Sequence, residues 1–215
     1  MNEAAVQPPS FNQTREWLLW TAATAGGWLL GAAINILVGI VLSMAGLDAT
    51  LSADVAEVPQ PMILILTALS LALLFAIGLS VGALQWLVLR RHLAGVQRWA
   101  LFTGMGFALG AFVFVAFIGV GVGLLQWLLL RRDLNKTVWW PVVNALAWPL
   151  GYVLGGGLGA SVGAALNSPL AANLIGALLA GAIIGATTGA VLLWLLRENA
   201  ALLESLRQDK ALAKG

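Results

Sequence analysis

Five amides sit inside otherwise apolar segments of this chain and are the side chains best placed to do chemistry: Asn35, Gln85, Gln126, Asn144 and Asn173. Gln85 and Gln126 stand out because each opens a repeated run, Gln-Trp-Leu-x-Leu-Arg-Arg. An amide donates and accepts hydrogen bonds but carries no exchangeable charge. The chemistry on offer is therefore hydrogen bonding rather than acid–base catalysis. Between helices in a membrane such a bond contributes of the order of 1 kcal/mol. Coordination of a substrate or pigment is the alternative use of the same amides.

The groups that usually accompany catalysis are missing around them. Intramembrane carboxylates, lysines and histidines mark proton relays and ion-coupled sites, and the apolar segments contain none. His92 is the one histidine; beside Arg90 and Arg91 it is expected to be a solvated surface residue, unable alone to hold a metal or complete a catalytic pair. There is no cysteine, hence no disulfide or thiolate site. The triplet Gly155–Gly157 lies within an apolar run and lacks the lysine of a phosphate-binding loop. A net charge of +2 does not suggest a nucleic-acid partner. No catalytic or metal-binding residue is assigned, no cofactor is expected, and an enzyme is the least favoured class.

The segments that hold these amides are five apolar stretches of close to thirty residues: Trp17–Leu47, Pro61–Leu89, Trp99–Leu130, Val138–Ala165 and Leu170–Leu196. Each exceeds the ~20 residues a helix needs to cross a bilayer. Hydrophobic residues make up 60% of the chain and charged ones 9%, a composition that in water would expose large apolar patches. The expected fold is all-α and polytopic, an integral membrane protein with residues 17–197 as a helical bundle. Residues 1–16 form an N-terminal tail with no recognisable signal peptide. Asp48–Gln60, acidic and free of bases, predicts a short interfacial helix, and 198–215 an amphipathic tail.

Two patterns recur three times. One opens a span: Trp20–Gly31, Trp99–Gly110 and Trp140–Gly151, matching Trp20, Trp99 and Trp140, then Thr24, Thr103 and Asn144, then Trp28, Phe107 and Trp148. The other closes a span: Ile77–Arg91, Ile118–Arg132 and Ile184–Glu198, the last lacking the Gln-Trp pair and the second Arg. In the middle copy both patterns fall in one stretch. A hairpin there would make six crossings and place every Lys and Arg on one side, as the positive-inside rule favours. Against it, Phe112–Phe117 has no Gly, Pro, Asn or Asp on which to turn, and a bend would leave backbone groups unpaired in lipid. Five transmembrane helices are expected, with residues 99–130 as a single span; the hairpin is the alternative.

Glycines fall in four-residue registers that make smooth grooves for close helix contact. They are Gly27 and Gly31 with Gly39 and an intervening Asn35; Gly78 and Gly82; Gly119 and Gly123; Gly151, Gly155, Gly159 and Gly163; and Gly181, Gly185 and Gly189. Such a groove could instead receive a partner helix, a lipid tail or a pigment. Eight tryptophans, among them Trp20, Trp86, Trp99, Trp127 and Trp140, lie near span ends and read as an interfacial belt. Trp86, Arg90, Arg91, Trp127, Arg131 and Arg132 are the expected anchors, the arginines reaching lipid phosphate. Trp28 and Trp148 lie deeper, where core packing is expected and contact with a bound chromophore or lipid is the alternative.

On the closing run and the tryptophan openings, the chain resembles a loose group of glycine-rich membrane proteins of cyanobacteria and Chloroflexus-like bacteria that has no known activity. The resemblance spans most of residues 17–197 and departs at Leu192–Glu198. It implies a bacterial inner or photosynthetic membrane and association with a larger complex. Taken together, the sequence points to a non-enzymatic accessory, scaffold or assembly subunit that packs against lipids and other membrane proteins. The alternative is a small transporter or channel, in which Pro149 and the glycine run break the fourth span near mid-bilayer.

Overall fold

Apolar runs of this length can satisfy their backbone in lipid only as helices, and helices are what form. The computed structural model describes residues 12–47, 58–93 and 95–212. The helices are α1 (Gln13–Met44), α2 (Gln60–Leu89), α3 (Trp99–Val113), α4 (Ile118–Leu130), α5 (Trp139–Ala165), α6 (Pro169–Glu198) and α7 (Ala200–Leu212). Their starts follow local chemistry. The Asn12 side chain accepts from the Arg15 amide at 3.0 Å, and Ser168 accepts from Ala171 at 3.2 Å with Pro169 in the first turn. These are N-caps, which fill amide positions a helix cannot pair internally.

The fold is an all-α polytopic membrane fold. Among the described residues four helices, α1, α2, α5 and α6, are long and apolar enough to cross a membrane. The expected single span over Trp99–Leu130 is not formed. It folds back as α3 and α4, joined through a 3₁₀ turn at Val115–Phe117. At ~1.5 Å per residue these helices are each about 20 Å long, short of the ~30 Å hydrocarbon core. The turn needs no special residue because its backbone pairs locally: the Phe114 amide reaches the Gly110 carbonyl at 3.0 Å and the Phe117 amide the Phe114 carbonyl at 2.8 Å. Gly106 and Gly110 then admit the returning helix. A Cβ on either would lie 2.5 Å from the Val122 Cα or 2.6 Å from the Ile118 Cα.

The hairpin decides the topology. Both ends of α3–α4 lie on the face that carries the N-terminus of α1 and the C-terminus of α6. Arg197 reaches Gln13, His92 contacts Glu16 at 3.0 Å, and Lys136 pairs with Glu198. Arg15, Arg90, Arg91, Arg98, Arg131, Arg132, Lys136 and Arg197 share this face, and no Lys or Arg occurs in the segments joining helices at the other. His92, expected to be solvated, is mostly buried against Glu16.

Each hairpin packs on the next, and α6 closes the ring on α1. Equivalent positions make equivalent contacts within the hairpins: Gly31 against Ile77, Gly110 against Ile118, and Gly151 against Ile184. Three hairpins, α1–α2, α3–α4 and α5–α6, thus surround one axis. Pro149 does not break its helix, since α5 runs continuously from Trp139 to Ala165. Most of Asp48–Gln60, and the side chains of Leu206 and Leu212 in the tail, lie outside the described residues.

Candidate functional site: an aromatic and amide core with a cavity beyond it

Identical residues in tandem repeats meet at the repeat axis, and the opening tryptophans do so here. The ring centroids of Trp20, Trp99 and Trp140 lie 5.9 to 6.1 Å apart in edge-to-face or tilted pairs, an arrangement favoured by the ring quadrupoles. All three are at most 1% exposed. They are core residues and not part of the interfacial belt expected for them. Two turns further along the axis the next matched positions form a second layer. Trp28, Phe107 and Trp148 have centroids 4.8 to 6.0 Å apart and are likewise buried.

The amides join the repeats. The Trp99 indole donates to Gln85 Oε1 at 3.1 Å, and the Trp140 indole to Gln126 Oε1 at 3.0 Å. Gln85 Nε2 donates to Thr24 Oγ1 at 3.1 Å, and Gln126 Nε2 to Thr103 Oγ1 at 2.8 Å and to Gln85 Oε1 at 3.3 Å. Both threonine hydroxyls give their protons to their own helix, at Trp20 and Trp99 carbonyls, and so turn lone pairs toward the amides. An indole N–H can only donate, which fixes the orientation of each glutamine. The result links α1, α2, α3, α4 and α5 through one buried network.

The third interface uses a different residue because α6 meets α1 one turn out of register with the sequence alignment. Gly78, Gly82 and Gln85 of α2 face Phe107, Thr103 and Trp99 of α3; Gly119, Gly123 and Gln126 of α4 face Trp148, Asn144 and Trp140 of α5. On α6 the matching set is Gly181, Gly185 and Thr188, facing Trp28, Thr24 and Trp20. Thr188, not the aligned Leu192, therefore accepts the Trp20 indole, at 3.0 Å. The slide explains why copy three needs no glutamine.

The other expected positions distribute as follows. Gly151, Gly155, Gly159 and Gly163 face Ile184, Ala180, Gly176 and Ala172 across the α5–α6 seam, and Gly27 abuts the Val81 backbone; Gly39 faces nothing within 4 Å. Gly189 meets Trp20 and Trp17. Arg90 and Arg131 place their guanidinium carbons 4.8 Å from the Trp86 and Trp127 ring centres, a repeated cation–π pair. Arg91 and Arg132 are exposed beside them. Asn144 bonds within its own helix, to the Trp140 carbonyl and from the Trp148 indole, rather than between helices. Asn173 donates to the Pro169 carbonyl of its own helix.

Asn35 joins no helix pair. It lines a cavity of about 410 Å³ that the short hairpin leaves between the longer helices, with Phe107 and Trp28 at the aromatic layer and Tyr152, Asn173 and Ala177 among its walls. The sequence marks Trp28, Asn35 and Asn173 singly but not the cavity they share, which exists only if residues 99–130 turn back. No family model, curated protein or solved structure matches the chain. The fold and core define a class nonetheless: an all-helical polytopic membrane protein of three helical hairpins around a packed aromatic axis.

Proposed function

We propose that this chain is a non-enzymatic membrane subunit, an accessory or scaffold component that holds a fixed shape for lipids and other membrane proteins to pack against. The observation that carries the reading is the closure of the axis at two levels, by Trp20, Trp99 and Trp140 and then by Trp28, Phe107 and Trp148. A solute path would have to part both trios and break the Gln85–Gln126 network, whose buried donors would then be unpaired at ~1–3 kcal/mol each. Neither level holds an ionisable side chain to bind or relay an ion. The outer faces of α1 and α2 beyond the hairpin, by contrast, present Leu37, Val41, Met44, Leu64 and Ile65 with more than half their surface uncovered. A partner helix there would lie against a pre-formed wall. The one-sided distribution of Lys and Arg orients that face away from the cytoplasm of a bacterial inner or photosynthetic membrane.

The test is mild solubilisation of native membranes, followed by native electrophoresis and mass spectrometry of the band that holds the chain. The expected result is a stable assembly with other membrane proteins. Migration of the chain alone, together with saturable solute uptake by liposomes containing only this protein, would overturn the reading in favour of a transporter.

A further inference from the structure

The cavity next to the aromatic layer has unusual walls for a gap between membrane helices. Its 410 Å³ falls within the ~300–1,000 Å³ range of small-molecule pockets. Most of its lining is apolar, yet four polar side chains of three helices line it: Trp28 and Asn35 of α1, Tyr152 of α5 and Asn173 of α6. The Trp28 indole N–H is buried with no hydrogen-bond partner. The reason is visible in the repeat. Trp148, its counterpart, donates to Asn144 one turn earlier at 3.1 Å; the matching residue for Trp28 is Thr24, whose hydroxyl is already engaged by Gln85 and the Trp20 carbonyl. Asn35 and Tyr152 lie within apolar helices but are exposed, and no hydrogen bond is formed by Asn35 or by the Tyr152 hydroxyl among the described residues. Polar groups left without partners in hydrocarbon are costly, so the Asn35 amide and the Tyr152 hydroxyl, accessible on the walls of one cavity, mark a place for an occupant that brings acceptors.

The chemistry narrows that occupant. No cavity-lining residue is charged, and no Lys or Arg lies in the segments joining helices at this end, which disfavours a phospholipid headgroup or a free fatty acid. Trp28, Phe107 and Tyr152 offer aromatic faces and edges beside the donors, with Trp28 and Tyr152 centroids 5.1 Å apart and edge-on. Small residues, Gly31, Ala160, Gly176 and Ala177, leave room for a flat group between α1, α5 and α6. We infer that the cavity between Trp28, Asn35 and Tyr152 binds an uncharged, membrane-soluble molecule with a planar carbonyl-bearing head and an apolar tail, the chemistry of an isoprenoid quinone. The head carbonyls accept from the Asn35 amide and the Tyr152 phenol, the Trp28 ring packs against the head, and the tail leaves toward lipid. This site is independent of whether the chain joins a larger complex.

Purified protein in detergent is titrated with a decyl-substituted benzoquinone and, separately, with decylbenzene, following tryptophan fluorescence and thermal stability. Gly156 lines the cavity and a Cβ there meets nothing within 4 Å, so Gly156→Leu fills the space without disturbing the core. The expected result is saturable quinone binding at least ten-fold tighter than decylbenzene. It should be lost in Gly156→Leu and weakened several-fold in Asn35→Leu and Tyr152→Phe, with the melting temperature of each unliganded variant held. No saturable binding, equal affinity for decylbenzene, or unchanged quinone binding by Gly156→Leu would each overturn the proposal. Equal affinity would identify the cavity as an acyl-chain gap.

Discussion

Replacing one glycine by alanine on the two faces of α5 separates helix propensity from helix contact. A Cβ at Gly155 would lie 2.3 Å from the Ala180 backbone nitrogen, 2.6 Å from its Cα and 2.8 Å from its Cβ. Carbon atoms in contact prefer ~3.5–4.0 Å, so α5 and α6 must part by about an ångström along a seam where the obstruction is backbone and cannot rotate away. Parting also loosens the contacts of Gly151 with Ile184 and Gly159 with Gly176 on either side. Overpacking of this kind costs ~1–3 kcal/mol. Against it stands the intrinsic gain of Gly→Ala in a helix, ~1 kcal/mol. Gly157 lies two residues on, on the opposite side of the helix, and a Cβ there meets nothing within 4 Å. Gly157→Ala should therefore retain the gain and Gly155→Ala should show a net loss. The propensity gain is common to both variants, so the separation between them is the overpacking cost itself, ~1–3 kcal/mol. Reversible unfolding in mixed detergent micelles measures it. Equal stabilities, or a Gly155→Ala protein more stable than the parent, would refute the reasoning.

The buried network and the residues around it yield four further expectations. Gln126→Leu leaves the Trp140 indole without its acceptor and removes a donor from Thr103 and Gln85; a loss of ~1–2 kcal/mol in the same unfolding assay is expected from interhelical hydrogen bonds in membranes. Thr188→Val, nearly isosteric, should cost a similar amount because Trp20 loses its acceptor. Leu192→Gln would restore the repeat consensus, yet Leu192 is 3% exposed within an apolar cluster, so it should destabilise rather than stabilise; a stabilised variant would show that α6 meets α1 in the aligned register. Arg131→Gln should change stability by less than ~1 kcal/mol, the exposed cation–π value, in contrast to a large loss on Trp140→Leu, both read from thermal melts.

Much of the fold was legible in the composition and the repeats, because a chain with apolar runs this long has helices as its only way to pair the backbone in lipid. Gln85 and Gln126 were conspicuous for the same reason: an amide in such a run must find a partner. Three features were not legible. The turn at Val115–Phe117 contains no turn-forming residue, since a 3₁₀ bond and the glycines at 106 and 110 make the reversal possible without one. Trp20, Trp99 and Trp140 lie near span ends, where a belt and a core triad carry the same sequence signal; only their identical place in each repeat separates the two. The part played by Thr188 depends on a one-turn slide of α6 against α1, which leaves no trace in a gapless alignment. The cavity follows from the first of these and was hidden with it.

The reversal of the chain between α3 and α4 underlies the ring of hairpins, and impermeant thiol labelling tests it directly in this cysteine-free protein. Single cysteines at Gln97, Arg132 and Leu166 occupy exposed positions before α3, after α4 and at the end of α5. In sealed membrane vesicles of known orientation, Gln97→Cys and Arg132→Cys are expected to label from the same face and Leu166→Cys from the other. Labelling of Gln97→Cys and Arg132→Cys from opposite faces would mean that residues 99–130 cross the membrane once, and would remove the hairpin, the closed aromatic axis and the cavity together.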